Sequence, residues 1–405
     1  MKEICSKIPV SDTTNNTAGI SKQMRALTSL RFIAAVCIVL HHLRGSFGLP
    51  TDAYAGWNLS SAVSFFFVLS GFVLTYAHPS LSSRREVLAF LIRRWFRIWP
   101  LHIACLSIFV VLIPQLLLPC RESFQGFLEI LANSLLVQAW IPASRYYFSF
   151  NPVSWTISTE WFFYLCFPFL LFLFMRKRAF LVFAFPFIIL VLTLAFSAKF
   201  APGDYSGLNN SVTSHGLIYI SPLTRLFEFS GGMYLQTIST RFKPNGLKRY
   251  MWLLQIAAIV LAVWYVSPGS MLFDRAGTPH VVRIWRGYSG GLLVWSFVIW
   301  SFSSPYGWPS RLLSNRILVL LGEISFATYL VHYPIAHVIA HRFWDSLQLS
   351  GFSQLALYLV LVLTASFALH FLIEVPARWI GKLLAKSIFK AKATENIALN
   401  NPQNA

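Results

Sequence analysis

The sequence predicts an all-α fold, a polytopic integral membrane helix bundle of about ten transmembrane helices, and three observations predict it. Of 405 residues, 56% are hydrophobic and only 12% are charged, and the mean hydropathy is +0.60, a composition that soluble domains of this length do not match. Windows of roughly 17 to 25 mostly apolar residues recur along the chain, each long enough to cross a bilayer as a helix. The 33 Lys and Arg fall unevenly on the segments between those windows, as cations that set topology do.

Taken in order, the expected spans lie near 28–46, 60–77, 99–119, 157–175, 179–197, 219–239, 250–267, 285–303, 316–341 and 353–381. The segment 124–140 is apolar enough to lie in or dip into the membrane, but Asn133, Gln138 and flanking prolines make it a poorer span. With the amino terminus inside, 24 of the 33 cations fall on inner segments, so both termini are expected in the cytoplasm. That alternation turns on Arg275, Arg283 and Arg286, three cations on a predicted outer loop.

The polar stretches at 11–17 and 390–405 lack apolar periodicity. They predict a disordered cytoplasmic leader over 1–26 and a disordered cytoplasmic tail over 386–405, around a transmembrane domain at 27–385. No segment between the spans is long enough for a soluble catalytic domain, so any chemistry is expected in the bundle and its loops. A secretory-signal reading of 32–40, with Ala53, Tyr54 and Ala55 as cleavage site, sits poorly with the long polar leader and the many later spans.

A formal charge of +19 would suggest nucleic acid in a soluble protein, but beside apolar spans it points to lipid headgroups. Nucleic acid is not an expected partner. Cys5, Cys37, Cys105, Cys120 and Cys166 are odd in number and scattered, and they predict neither a disulfide framework nor a zinc site.

Ionisable groups inside spans are expensive and usually face a cavity or a partner. Arg31 and His42 are eleven residues apart, almost three helical turns, which puts them on one face roughly 16 Å apart along the axis. Of fourteen acids, Glu160, Glu228, Glu323 and Glu374 fall in or at the edge of spans. Arg225 with Glu228 and Glu374 with Arg378 stand at helical pairing distance, as structural ion pairs or as substrate contacts.

Glu160 lies among Trp155, Thr156 and Tyr164, and helical stepping groups Trp155, Glu160 and Tyr164. An aromatic plane, a carboxylate and a phenol suit a hydroxylated ring, or else an interfacial aromatic belt with one acid. Arg93, Arg94 and Arg97 alternate with Trp95 and Trp99, reading either as a surface anchor or as a clamp for phosphates. His332, His337 and His341 stand at helical spacing, but without a carboxylate or cysteine at ligand distance no metal is expected.

Together these residues resemble the acyltransferase-3 family of membrane acyltransferases, over 27–378. Leu30, Arg31, Ala34, Ala35 and His42 are similar to its Arg-x10-His signature, which selects His42 over His41. The run Phe65, Phe66, Phe67, Val68, Leu69, Ser70, Gly71, Phe72 resembles its second-helix motif, and Arg94 with Arg97 its cytoplasmic arginine pair. The stretch 155–164 resembles a Trp-Ser pattern with Thr156 in place of serine. Later matches include 225–232, with Arg225 and Glu228, the run 321–332 that carries Tyr329 and His332, and Glu374, Val375 and Pro376. Ser64 departs from the pattern, standing where many members carry an acid.

The resemblance implies acyl-CoA, most commonly acetyl-CoA, as a cytoplasmic co-substrate with no permanently bound cofactor. It further implies a carbohydrate acceptor at the outer face of a bacterial inner membrane, such as O-antigen or exopolysaccharide. Some relatives append an esterase-like domain, for which this length is expected to leave no room.

On this reading Arg31, Arg94 and Arg97 bind the CoA phosphates. His42 acts as general base or carries the acyl group, and Glu160 orients the imidazole or the sugar. Ser70, Trp155, Thr156, Tyr164, Arg225, Glu228, Tyr329 and His332 line the acceptor path. A transporter or flippase of a glycan or small molecule is the other class the buried charges allow, though no internal repeat supports it. The outer loops 200–219 and 267–284 are expected to choose the acceptor, and the sequence says nothing of oligomeric state.

Overall fold

Long apolar runs in lipid can satisfy their backbone groups only as helices or closed barrels, and here they do so as helices. The computed structural model describes residues 24–44, 56–117, 123–176, 178–200, 203, 207–241, 245–269, 278–340 and 351–399. Among them the long helices are α1 (Arg25–His42), α2 (Ala62–Ala77), α3 (Arg84–Leu112), α4 (Phe124–Ser134), α5 (Trp155–Met175), α6 (Ala179–Phe200) and α7 (Pro222–Arg241). There follow α8 (Met251–Val266), α9 (His280–Tyr288), α10 (Leu292–Phe302), α11 (Arg316–Val338), α12 (Gly351–Leu369) and α13 (Val375–Leu399). The described residues form no strand beyond one isolated bridge between Ala143 and Val212.

Eight helices among the described residues are long and apolar enough to cross a membrane, with α12 and α13 counted as one continuous piece. Two of the ten expected spans differ. The one placed at 219–239 is α7, which packs along α2. The one placed at 285–303 is broken at 289–291 into α9 and α10, because Gly290 and Gly291 follow Ser289 there and helical order stops.

The third span also begins earlier than its apolar window. Ser83 caps α3 by accepting the Glu86 amide at 3.2 Å, and the Glu86 carboxylate accepts the Ser82 amide at 2.6 Å. Arg93, Arg94 and Arg97 therefore sit inside a 29-residue helix, not in a loop before it.

The segment 124–140 is a short helix with a turn, pinned by the polar residues that disqualified it as a span. Asn133 donates to Ser149 Oγ at 2.6 Å, its carbonyl meets His102 Nε2 at 2.9 Å, and Gln138 donates to Ser154 Oγ at 3.2 Å.

Close helix crossings set the core. A Cβ on Gly71 would collide with the Phe229 carbonyl, and one on Gly232 with the Val68 carbonyl, so α2 and α7 touch backbone to backbone through paired glycines. Gly322 brings α11 equally close to the Thr28 carbonyl of α1. A π-helical turn, His370–Glu374, joins α12 to α13 and turns Glu374 inward, where it is 2% exposed.

The expected leader at 1–26 lies outside the described residues up to 23, and α1 already begins at Arg25. α13 runs through 386 to Leu399, and 400–405 of the expected tail lie outside the described residues.

Candidate active site

The close crossing of α1 and α11 builds the site, because it brings two histidines together that are 290 residues apart. His42 stands on the last turn of α1 and His332 on α11, with ring centroids 5.1 Å apart and His42 Nδ1 3.1 Å from His332 Nε2. His42 Nδ1 also lies 3.0 Å from the Ile38 carbonyl, and His332 Nδ1 lies 2.7 Å from the Tyr329 carbonyl.

Carbonyl oxygens only accept, so each Nδ1 carries hydrogen. In the neutral rings both Nε2 atoms then hold lone pairs, and His42 Nδ1–H is shared between Ile38 and His332. This leaves a lone pair on the Nε2 of His42, which is half-buried while His332 is fully buried.

Neither histidine lines the cavity of about 270 Å³ that opens beyond Tyr329, whose lining includes Arg31, Phe66, Ser70, Arg94, Arg97, Thr156, Glu160, Tyr164 and Tyr329. Tyr329 links cavity and histidines: its ring lines the cavity, lies 5.9 Å from His332 and 6.2 Å from Phe66, and its hydroxyl donates to the Val153 carbonyl at 3.0 Å. Thr156 donates to the Tyr329 oxygen at 2.9 Å, so this wall is held by two fixed hydroxyls.

The other end of the cavity is cationic. Arg94 places its guanidinium 5.6 Å from the Tyr164 ring and 5.5 Å from Phe90, and donates toward His78 Nε2 at 3.3 Å. Arg97 lies within electrostatic range of Tyr164, and Arg31 of Arg97. His78, just beyond the end of α2, is held down to about 4 by burial and by the Arg94 and Arg93 charges beside it.

Two carboxylates share this end. Glu160 accepts the Tyr164 hydroxyl, and Glu374 accepts from His370 Nδ1 at 2.8 Å with Arg378 at 3.7 Å. Glu374, read from spacing as a partner of Arg378 alone, thus belongs with His370 first. It also faces the Arg31 and Arg97 charges.

The expected acceptor-path residues separate into two groups. Ser70, Thr156, Tyr164 and Tyr329 line the cavity, but Trp155 does not: it is 3% exposed, packed against Tyr219 at 4.8 Å and Phe67 at 6.2 Å. Helical stepping had grouped Trp155 with Glu160 and Tyr164, yet five and nine residues along α5 the face has turned toward the arginines.

Arg225 and Glu228 likewise stand outside the cavity lining, as a fully buried ion pair at 3.0 Å. Arg225 donates to Ser289 at the α9–α10 break and to Ser64 Oγ at 3.1 Å, and stacks over Phe67 at 4.9 Å. Ser64, the departure from the family pattern, therefore faces Arg225 and not His42, and Glu228 supplies the acid that Arg225 needs.

Residues that spacing could not single out include Phe66, Thr28 and Ser325, which complete the wall. Their apolar or small side chains carry no signal outside a motif. No group of three His, Cys, Asp or Glu among the described residues is arranged to hold a metal; His341 lies outside them, and His337 packs its ring on Phe109 at 5.4 Å.

The profile of the acyltransferase-3 family, described as an acyltransferase domain, matches residues 24–371. The chain is 29% identical to the acyltransferase MdmB of Streptomyces mycarofaciens over 345 residues, 77% of this chain and 79% of that protein. It is 27% identical over 363 residues to a putative O-acetyltransferase of Staphylococcus aureus strain MSSA476, covering 82% of this chain and 54% of that one. It is 26% identical over 395 residues to the O-acetyltransferase OatA of Staphylococcus aureus strain NCTC 8325, covering 92% and 59%. The chain thus spans somewhat over half the length of these staphylococcal relatives. No solved structure matches it.

Proposed function

The chain belongs to the acyltransferase-3 family, and from that membership we propose that it is a membrane O-acyltransferase taking an acyl group, most simply acetyl, from acyl-CoA to a hydroxyl. The observation that carries this reading is the pairing of a guanidinium-lined cavity with a histidine whose bare Nε2 lies at the far end of the same helix. Arg31 and His42 begin and end that path roughly 16 Å apart, a span suited to an extended pantetheine arm.

In this mechanism Arg31, Arg94 and Arg97 receive the CoA phosphates, and the thioester reaches inward along the Phe66 and Tyr329 wall. His42 Nε2 takes the proton of the acceptor hydroxyl as its oxygen attacks the thioester carbon. The C–O bond forms, the C–S bond breaks, and the CoA thiolate takes the proton from His42. The products are the ester and free CoA thiol.

The relatives named as O-acetyltransferases support acetyl as the group. Orientation follows the cations: Arg25 and Arg31 on α1 and Arg84 to Arg97 on α3 favour a cytoplasmic donor end. We assign the acceptor to the outer side of a bacterial inner membrane, with membrane lipid around the bundle. A cell-surface or lipid-linked carbohydrate, as in O-antigen or another polysaccharide, fits a hydroxyl acceptor. The family match favours acyl transfer over the permeation reading of the same buried charges.

The test is acyl transfer by the purified protein in proteoliposomes, together with mass spectrometry of envelope glycans from cells with and without the gene. An acetyl mass increment that depends on the gene, with label passing from acetyl-CoA, supports the reading. His42→Ala should remove transfer while the protein still inserts and melts as before. Transport of an unmodified solute with no acyl product, or full activity of His42→Ala, overturns it.

A further inference from the structure

We propose that His332 is a positioning residue for His42, accepting the His42 Nδ1–H so that the Nε2 lone pair is the one presented to the acceptor hydroxyl. This deepens the acyl-transfer reading and rests on it.

Hydrogen-bond polarity orders the chain of groups. The Tyr329 carbonyl takes the His332 Nδ1–H at 2.7 Å, which leaves His332 Nε2 as an acceptor 3.1 Å from His42 Nδ1. The backbone of α11 thereby sets the tautomer of His332, and His332 with Ile38 sets that of His42. The Tyr358 hydroxyl donates to the His332 carbonyl at 3.2 Å, fixing that residue from α12 as well.

When His42 gains a proton at Nε2, the bond to His332 becomes charge-assisted and strengthens at the moment of transfer. In hydrolases an aspartate holds the catalytic imidazole. Among the described residues the buried carboxylates are engaged elsewhere, Glu129 with Arg145, Glu228 with Arg225 and Glu374 with His370, and the half-buried Glu160 accepts from Tyr164. Around the pair stand His41 at 5.2 Å and Tyr333 at 6.0 Å from the His42 ring, and Tyr329 at 5.9 Å from the His332 ring. Among the described residues His332 is the side chain within hydrogen-bond distance of His42, and a neutral imidazole takes the orienting place.

Two amides separate positioning from packing. Gln places its side-chain oxygen near the site of Nε2 and can still accept from His42, whereas the shorter Asn reaches only the Nδ1 site beside Tyr329. With donor and acceptor titrated separately, His332→Gln should keep kcat within about fivefold. His332→Asn and His332→Phe should lose about 10- to 100-fold in kcat at unchanged KM for both substrates.

Melting in detergent shows which variants fold, and the Gln and Asn pair suffices if Phe does not. Equal activity of Gln and Asn, or a loss expressed in KM alone, overturns the assignment. If His42→Ala is itself active, the base reading has failed. If His42→Ala is dead while Gln and Asn are alike, only the role of His332 has failed.

Discussion

Glu160 accepts the hydroxyl of Tyr164 one turn further along α5, and the Tyr164 ring in turn lies beneath the Arg94 guanidinium at 5.6 Å. The carboxylate is thereby held by a neutral phenol next to three arginines that it would otherwise neutralise. On the proposed reading, in which this cavity receives CoA phosphates, that restraint keeps the guanidinium groups available to the ligand.

Removing the phenol should therefore weaken the donor end. In Tyr164→Phe the Glu160 carboxylate is released to pair with Arg94 or Arg97, competing with phosphate. KM for acetyl-CoA is expected to rise about five- to tenfold, the worth of roughly one hydrogen bond, with kcat little changed. Steady-state kinetics in proteoliposomes would read this, and an unchanged donor KM counts against the arrangement.

The double variant Arg94→Ala with Arg97→Ala should act in the same direction and more strongly, at about 100-fold or greater in donor KM if each charged hydrogen bond is worth roughly 1.5 kcal/mol or more. Binding of desulfo-CoA by isothermal calorimetry is the direct check. Equal affinity in wild type and variant would remove these residues from the donor site.

Arg225 and Glu228 should behave as structure. Arg225→Met strands a carboxylate that is 1% exposed, with an expected cost of about 3–5 kcal/mol, whereas Arg225→Met combined with Glu228→Leu should recover most of it. Denaturation in mixed micelles measures both. If the single variant is as stable as wild type, the pair is not buried as described.

Gly71 is expected to tolerate no side chain. Gly71→Val must push α2 away from the Phe229 carbonyl of α7 and should cost about 1–3 kcal/mol, lowering the melting temperature in detergent. A variant melting with wild type would show that the two helices do not touch there.

His78 gives the pH test. Its proton affinity is held down to about 4 in the folded protein, against an ordinary value near 6.5, because burial and Arg94 disfavour the cation. As pH falls through 6.5 the unfolded chain binds this proton first, so stability declines between about pH 6.5 and 4 and levels below. His78→Gln keeps an acceptor for Arg94 but cannot titrate, and its melting temperature should vary less across that window. Identical pH profiles would deny His78 a part.

Much of the site was legible because motifs and helical spacing report on one helix at a time. Arg31 with His42, Arg94 with Arg97, and Glu160 with Tyr164 were each readable from steps of three, four or eleven residues along a single α-helix. Trp155 misled for the same reason: spacing says which residues are neighbours on a helix, but not which side of the bundle that face meets.

What the sequence by itself determined is the class of molecule. Apolar run length and backbone hydrogen bonding in lipid leave helices as the outcome, and buried charges on those helices mark where chemistry is affordable. The tertiary structure alone decided who meets whom. Gly322 brings α11 against α1 and so gives His42 its partner His332, while the Gly71 and Gly232 crossing and the α9–α10 break send Arg225 to Ser64 and Ser289. Contacts between helices depend on crossing points and rotation, which follow from packing of whole surfaces, and no local pattern of residues encodes those.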